Sequence, residues 1–219
     1  MTLIRSTTMN IVDLTHTISP RMPVYPGTEP PVFTTGCSIE DSGFLEKKIT
    51  LYSHTGTHMD APAHMIKASK TLDRFAIDQF YGKAARLDVS TNKRPIIDIE
   101  DLASCEEMLR QNEFLLIHTG WSRRWGTEAY FSEYPVLSME AAEWVSQLHL
   151  KGIGVDAISV DDTHSDSFPV HHILLKNDTE IIENLKNLDM VPVNPFIFAC
   201  FPLKFENADG SPVRAVALY

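Results

Sequence analysis

The densest chemistry in the sequence lies in Ser53-His54-Thr55-Gly56-Thr57-His58-Met59-Asp60-Ala61-Pro62-Ala63-His64. From His54 to His64, eleven residues hold three histidines and one aspartate. Neutral imidazole and carboxylate are donors that hold Zn or Mn, which makes the stretch a candidate metal or catalytic site. One histidine in a polar loop is simply a surface residue. Three histidines and an acid at alternating positions, punctuated by Gly and Pro, are a poor fit to that description. The spacing H-x-x-x-H-x-D would place His54 and His58 on one face of a helix. Gly56, the β-branched Thr55 and Thr57, and Pro62 all argue against a helix here. As an extended segment, positions 54, 56, 58 and 60 share one side, yet at about 3.3 Å per residue His54 and Asp60 would stand roughly 20 Å apart. The segment must therefore curl, and Gly56 is where a curl costs least.

A second polar stretch runs from Ser159 to His172 and contains Asp161, Asp162, His164, Asp166, His171 and His172, with Glu180 and Glu183 following. Polar loops are common, and alone this one carries little. Beside the first cluster it supplies what a two-metal site still needs, another histidine and a bridging acid. His171 and His172 are adjacent and point different ways in any regular structure, so only one of them is expected to be a ligand. Local chemistry does not choose between them.

The elements that must position these residues follow from patterning. Residues 11–14 read as a short strand, and residues 19–27 as a loop stiffened by three prolines. That loop carries Tyr25, either a pocket wall or an aromatic packed beneath the loop. Residues 31–39 and 45–53 read as two strands of a hairpin or meander, so the histidine cluster begins where a strand ends. Further strands are expected at 82–90, 114–118, 154–158 and 196–201. Helices are expected at 99–110, capped by Asp98, and at 139–150, capped by Ser138 and ended by Gly152. Residues 121–135 are the longest irregular piece, read as a surface excursion that serves as a lid or a dimer contact. Helices alternating with buried strands between 82 and 160, after a strand-rich opening third, indicate a mixed α/β fold rather than a doubly wound one.

A chain of 219 residues is long enough for one substantial core. Residues 1–10 read as an N-terminal extension and 11–219 as a single domain. The formal net charge of -10 argues against nucleic acid and against an anionic membrane surface as partners. Cys37, Cys105 and Cys200 are scattered, with no C-x-x-C pair, which suits reduced thiols in a cytoplasmic protein. No cysteine stands in the cluster to build a structural zinc site. The longest apolar run, residues 196–201, is too short to cross a bilayer.

The stretch from His54 to His64 resembles the H-x-G-T-H-x-D-x-P-x-H motif of the cyclase-like metal hydrolases, which include the bacterial kynurenine formamidases and the isatin hydrolases. It matches at every specified position. The similarity extends to Tyr25-Pro26-Gly27, to the segment from Gly154 to His172, to Ile182-Glu183-Asn184, and to Asp209 through Ala215. The resemblance implies a swivelling β/β/α domain and a homodimer or homotetramer. It implies two divalent metal ions per chain, Zn first and Mn second. His54, His58 and Asp60 would bind one ion, Asp60 would bridge to the other, and His171 and Glu183 would complete the set. It makes His64 the catalytic acid/base and places the chain beside enzymes of tryptophan catabolism. One departure is Tyr25, where kynurenine formamidases tend to carry Trp; another is the length of the 121–135 excursion.

The expected chemistry is hydrolysis of a C–N amide bond by a metal-activated water, with His64 moving the proton. The expected substrate is a small aromatic amide of the N-formylkynurenine type, walled by Tyr25 with Trp121 or Phe168 nearby. A cyclic amide of the isatin type is the alternative with the same site. A non-catalytic metal-binding domain is the competing class, disfavoured because His64 is surplus and no cysteine is close. A Ser or Cys nucleophile finds no G-x-S-x-G elbow to support it.

Overall fold

Eight strands, two of them only three residues long, combine into a sheet that closes on itself. The computed structural model describes residues 9–92 and 94–219. Residues 1–8 of the expected N-terminal extension lie outside these described residues. The strands are β1 (Ile11–Asp13), β2 (Val32–Cys37), β3 (Glu46–Thr50), β4 (His58–Asp60), β5 (Tyr81–Asp88) and β6 (Ile96–Ile97). They continue with β7 (Phe114–His118), β8 (Val136–Leu137), β9 (Gly152–Val155), β10 (Glu180–Glu183), β11 (Phe196–Pro202) and β12 (Gly210–Leu218). The helices are α1 (Ile39–Ser42), α2 (Ile99–Ala103), α3 (Glu106–Arg110), α4 (Met139–Ser146) and α5 (Pro169–Lys176).

The main sheet runs β1-β12-β11-β5-β7-β9-β10-β4, and β4 pairs back onto β12 to close a barrel. β5, β7, β9 and β10 are mutually parallel, whereas β4, β12 and β11 join them by antiparallel pairing. Period-two alternation assigns the faces. Phe114 and Leu116 of β7 point into the barrel with Met59, Ile182, Phe198 and Ala215. Leu115 and Ile117 point outward, where Leu102, Leu109, Ala141, Val145, Val170 and Leu174 of the helices cover them. β7 is thus buried on both sides, which is why it reads as an unbroken apolar run.

The mixed α/β reading holds, and so do the β2–β3 hairpin, β5, β7 and β11. Three boundaries differ. The helix expected over 99–110 is two helices, α2 and α3, broken at Ser104–Cys105; Asp98 caps the first, and Leu102 and Leu109 are both buried. The helix after Ser138 stops at Ser146, and Gly152 opens β9 instead of ending that helix, so the strand covers 152–155 rather than 154–158. The 121–135 excursion is not a surface feature throughout. It forms two 3-10 turns, Trp121–Arg124 and Glu128–Phe131, and it buries Tyr130 and Tyr134 against Ala157 and Ile158. Among the described residues, no helix is long and apolar enough to cross a membrane.

One polar group is trapped in the barrel wall. Glu180 is fully buried, its Oε2 accepts from Gln79 Nε2 at 2.7 Å, and its Oε1 has no hydrogen-bond partner. Burial pushes its pKa up to about 8, against smaller lowering effects from Gln79 and Lys70. The folded chain therefore keeps a proton that the unfolded chain, whose glutamate titrates at its ordinary 4.5, gives up earlier. Stability should fall as pH rises from the unfolded to the folded value, by up to about 1.4 kcal/mol per pH unit from this group, and level off above it. Glu180→Gln removes the titration and keeps an acceptor for Gln79. Urea midpoints at pH 5, 6, 7 and 8 should show the variant gaining on the wild type as pH rises; parallel curves would show that Glu180 ionises freely in the fold.

Candidate active site

The curl at the head of the cluster is built where expected. Thr55 Oγ1 donates to the Tyr52 carbonyl at 2.7 Å, and Gly56 takes φ +68°, a region that costs a residue with a Cβ. Thr57 then donates to the Asn184 carbonyl at 2.6 Å and delivers the chain into β4. In β4, Met59 points into the barrel core while His58 and Asp60 share the opposite face. β10 lies alongside, with Glu183 opposite His58 and Ile181 opposite Asp60. His64 ends a 3-10 turn begun by Pro62. His171 lies near the start of α5, an element that the sequence pattern did not reveal, and it is buried whereas His172 is exposed. The fold thus brings His54, His58, Asp60, His64, His171 and Glu183 to one cleft of about 450 Å³. Tyr25, Tyr52, Met65, Ile158 and Phe168 are among its walls. Trp121 packs in the aromatic cluster with Tyr25 rather than lining the cleft.

The donor atoms converge at characteristic separations. His58 Nε2 lies 3.3 Å from Asp60 Oδ1 and 3.5 Å from Glu183 Oε2. His171 Nε2 lies 3.6 Å from Asp60 Oδ2 and 3.4 Å from Glu183 Oε1. These contacts are longer than charge-assisted hydrogen bonds, which run about 2.7–2.9 Å. They match the spacing of about 3.4 Å between neighbouring ligands set tetrahedrally about 2.1 Å from one cation. Asp60 is 1 % exposed and its Oδ2 has no hydrogen-bond partner, a costly state for a buried carboxylate oxygen. Both oxygens of each carboxylate face imidazole nitrogens. The donor set therefore fits a divalent cation. His58, Asp60 and Glu183 form one group whose ligand atoms lie within 4.8 Å of each other, and His54, Asp60 and His64 form a second, with Asp60 common to both.

Electrostatics favour positive charge at this floor. His54 donates from Nδ1 to Asp60 at 2.6 Å and from Nε2 to Asp209 at 3.1 Å. Burial alone would lower its pKa, but the Asp60 charge and the bonds to Asp209 and Asp60 lift it to about 10. Burial would likewise lower His171, and its bonds to Asp161, Asp60 and Glu183 raise it well above the usual histidine value. Asp60 sits well below the carboxylate range, because the His54 and His58 charges outweigh its burial. His64 differs: burial pulls it down to about 4, despite the nearby Asp60 charge. Its ring lies against that of His54, centroids 3.8 Å apart and tilted by 34°.

Three supporting residues were not singled out from the sequence. Asp209 bonds His54 and stands 3.8 Å from His64 Nδ1. Asp161 accepts the Nδ1–H of His171 at 2.7 Å. Tyr130, inside the 121–135 segment, donates to Asn184 Oδ1 at 2.7 Å, and Asn184 Nδ2 donates to the Gly56 carbonyl that also takes His58 Nδ1–H. For Asp209 there was a local signal in the Gly that follows it. Gly210 lies against the His54 ring, and a Cβ there would fall 2.4 Å from His54 Cε1.

Known proteins resemble this chain along most of its length. The family model described as "Putative cyclase" matches residues 12–162. A kynurenine formamidase of Geobacillus thermodenitrificans (strain NG80-2) is 33% identical over 206 residues, covering 93% of this chain and 95% of that protein. A kynurenine formamidase of Bordetella avium (strain 197N) is 28% identical over 210 residues, covering 93% and 95%. Among solved structures, isatin hydrolase A from Ralstonia solanacearum superposes with a TM-score of 0.85 at 27% identity, covering 96% of this chain and 92% of that one. An isatin hydrolase bound to the product analogue thioisatinate gives a TM-score of 0.88 at 24% identity, covering 96% and 92%, a likeness of fold.

The Gly210 contact provides a test of the cluster that leaves its donors intact. Gly210→Ala should displace the His54 ring and lower bound metal per chain, measured by elemental analysis after dialysis against Zn, with little change in the far-UV spectrum. Unchanged metal content would mean that the His54 position is irrelevant to binding.

Proposed function

This chain belongs to the cyclase family, and from that we propose that it is a metal-dependent hydrolase cleaving the C–N bond of an aryl formamide of the N-formylkynurenine type. The observation that carries the reading is the 33% identity to a kynurenine formamidase across 93% of the chain. The proposed cofactor is two divalent ions, Zn first and Mn second, held by His54, His58, Asp60, His171 and Glu183. When bound, such ions supply Lewis acidity toward a carbonyl oxygen and lower the pKa of water toward 7.

The chain's own residues account for the rest. Asp60 and Glu183 provide the negative charge that dications require. His64 is assigned the proton transfer. It also stands in a donor group with His54 and Asp60, where the His54 and His64 side chains are 22% and 26% exposed, and the metal content of His64→Ala decides between ligand and proton carrier. As water adds to the amide carbon, His64 takes its proton; as the C–N bond breaks, His64 returns a proton to the leaving nitrogen, giving formate and the aryl amine. Tyr25 and Phe168, both in the cleft lining, provide aromatic surface for a planar substrate. An isatin-type lactam is the second reading, favoured by the isatin hydrolase A likeness at 27% identity. The proposed assembly is a homodimer or homotetramer; the β2–β3 hairpin exposes Val32, Phe44, Leu45 and Ile49, apolar surface that a second copy would cover. A cytoplasmic setting is consistent with free Cys37, Cys105 and Cys200.

Protein stripped of metal and reloaded separately with Zn or Mn should hydrolyse N-formylkynurenine; turnover of isatin alone would move the substrate and keep the chemistry. His64→Ala should keep its metal and lose turnover by about 10²–10⁴-fold, as removal of a general acid–base does. Asp60→Ala should lose both. Loss of metal from His64→Ala would make it a ligand instead, and full activity in that variant would remove it from the mechanism.

A further inference from the structure

The two imidazoles on the cleft floor are held from behind by unlike partners. His58 donates its Nδ1–H to the neutral Gly56 carbonyl at 2.8 Å, whereas His171 donates its Nδ1–H to the Oδ2 of Asp161 at 2.7 Å. Asp161 is 3% exposed, and its contact with His171 is through Nδ1, the ring nitrogen opposite the one that approaches Asp60 and Glu183. Its Oδ1 accepts the backbone N–H of Val170 at 3.0 Å, and its Oδ2 that of His171 at 2.9 Å. The first turn of α5 is thereby capped from ten residues away, because Phe168 at its N-terminal boundary offers no side-chain bond. The loop bearing Asp161 is tethered in turn. Ser159 Oγ accepts from Asp161 N at 3.2 Å, the Tyr134 hydroxyl donates to the Asp161 carbonyl, and Val160 N donates to Glu183 Oε1 at 3.1 Å.

Only the ring nitrogen without a proton offers a lone pair, and the hydrogen bond at the other nitrogen decides which one that is. A carboxylate is a stronger acceptor than a carbonyl, and behind a ligating histidine it fixes the tautomer and raises the ring's basicity. We propose that Asp161 is the positioning residue for His171, holding the proton on Nδ1 so that Nε2 is presented to a cation shared with Asp60 and Glu183. The proposal rests on the reading of His171 as a ligand. It makes one short segment, 159–161, responsible for aiming both a histidine and a carboxylate at the site.

The test titrates Zn²⁺ into metal-free full-length protein by calorimetry, comparing wild type, Asp161→Asn and His171→Ala, with melting temperatures of the metal-free forms beside them. Asn keeps an oxygen for the Val170 N–H but offers an amide to His171 in place of an acceptor. The expected result is Zn binding weakened about 10- to 100-fold in Asp161→Asn, at a melting temperature close to wild type, together with weakened binding in His171→Ala. Wild-type affinity in Asp161→Asn with weakened binding in His171→Ala overturns the role of Asp161 and leaves His171 a ligand. Wild-type affinity in His171→Ala overturns the ligand reading and the proposal with it. A measurement on the unaltered chain covers a variant that does not fold. In the ¹⁵N spectrum of the Zn-loaded wild type, a proton on His171 Nδ1 supports the assignment and a bare Nδ1 overturns it.

Discussion

The structure depends on closing a barrel through three residues. β4 pairs with β10 along one edge and with β12 along the other, so His58-Met59-Asp60 completes the circuit. Met59 commits its side chain to the barrel core, and alternation then forces His58 and Asp60 onto the outer face. A strand held on both edges has no freedom to turn its side chains away. The elements that close the fold therefore also fix the donor atoms, and a carboxylate that would gain from solvent is kept at 1% exposure.

That placement has an electrostatic consequence. An ionised carboxylate removed from water costs several kcal/mol unless opposite charge compensates it, and Glu183 adds a second one opposite His58. The surroundings answer with imidazoles whose protons are held tightly, His54 up to about 10 and His171 well above its ordinary value. The His58 and His171 Nε2 atoms stand 3.3–3.6 Å from the Asp60 and Glu183 oxygens, longer than charge-assisted hydrogen bonds. A dication set among them would satisfy all four contacts at once.

The chemistry was far more legible in the sequence than the architecture. Three histidines and an acid at alternating positions survive any choice of fold as an unusual local concentration, and Gly56 marked the curl because few other residues accept φ +68°. The barrel closure was hidden, since β4 has three residues, two of them polar, and offers no run for periodicity to detect. α5 was hidden because Asp161 caps it from a loop eight residues before its start, while capping rules look next to the helix. Nothing in Ala103-Ser104-Cys105 marks the break between α2 and α3. The inward part of the 121–135 segment was hidden for a different reason. Its aromatic residues look exposed in a polar context, yet Tyr130 reaches Asn184 and, through it, the carbonyl that fixes His58.

That relay changes what the long segment is for. A lid would close over the cleft from outside, and its contacts would be few and solvated. Here none of the segment's residues lines the cleft, and two of its tyrosines are buried beside it. Trp125 stacks on His16 at 3.9 Å, Tyr130 and Tyr134 are buried, and their hydroxyls bond Asn184 and the Asp161 backbone. The Tyr134 hydroxyl thus bonds the residue that holds His171, and the Tyr130 hydroxyl reaches, through Asn184, the carbonyl that holds His58. A segment that braces both is a frame, and a frame is what closely spaced donors need, because a misplacement of 1 Å among them is a large fraction of a ligand bond of about 2.1 Å.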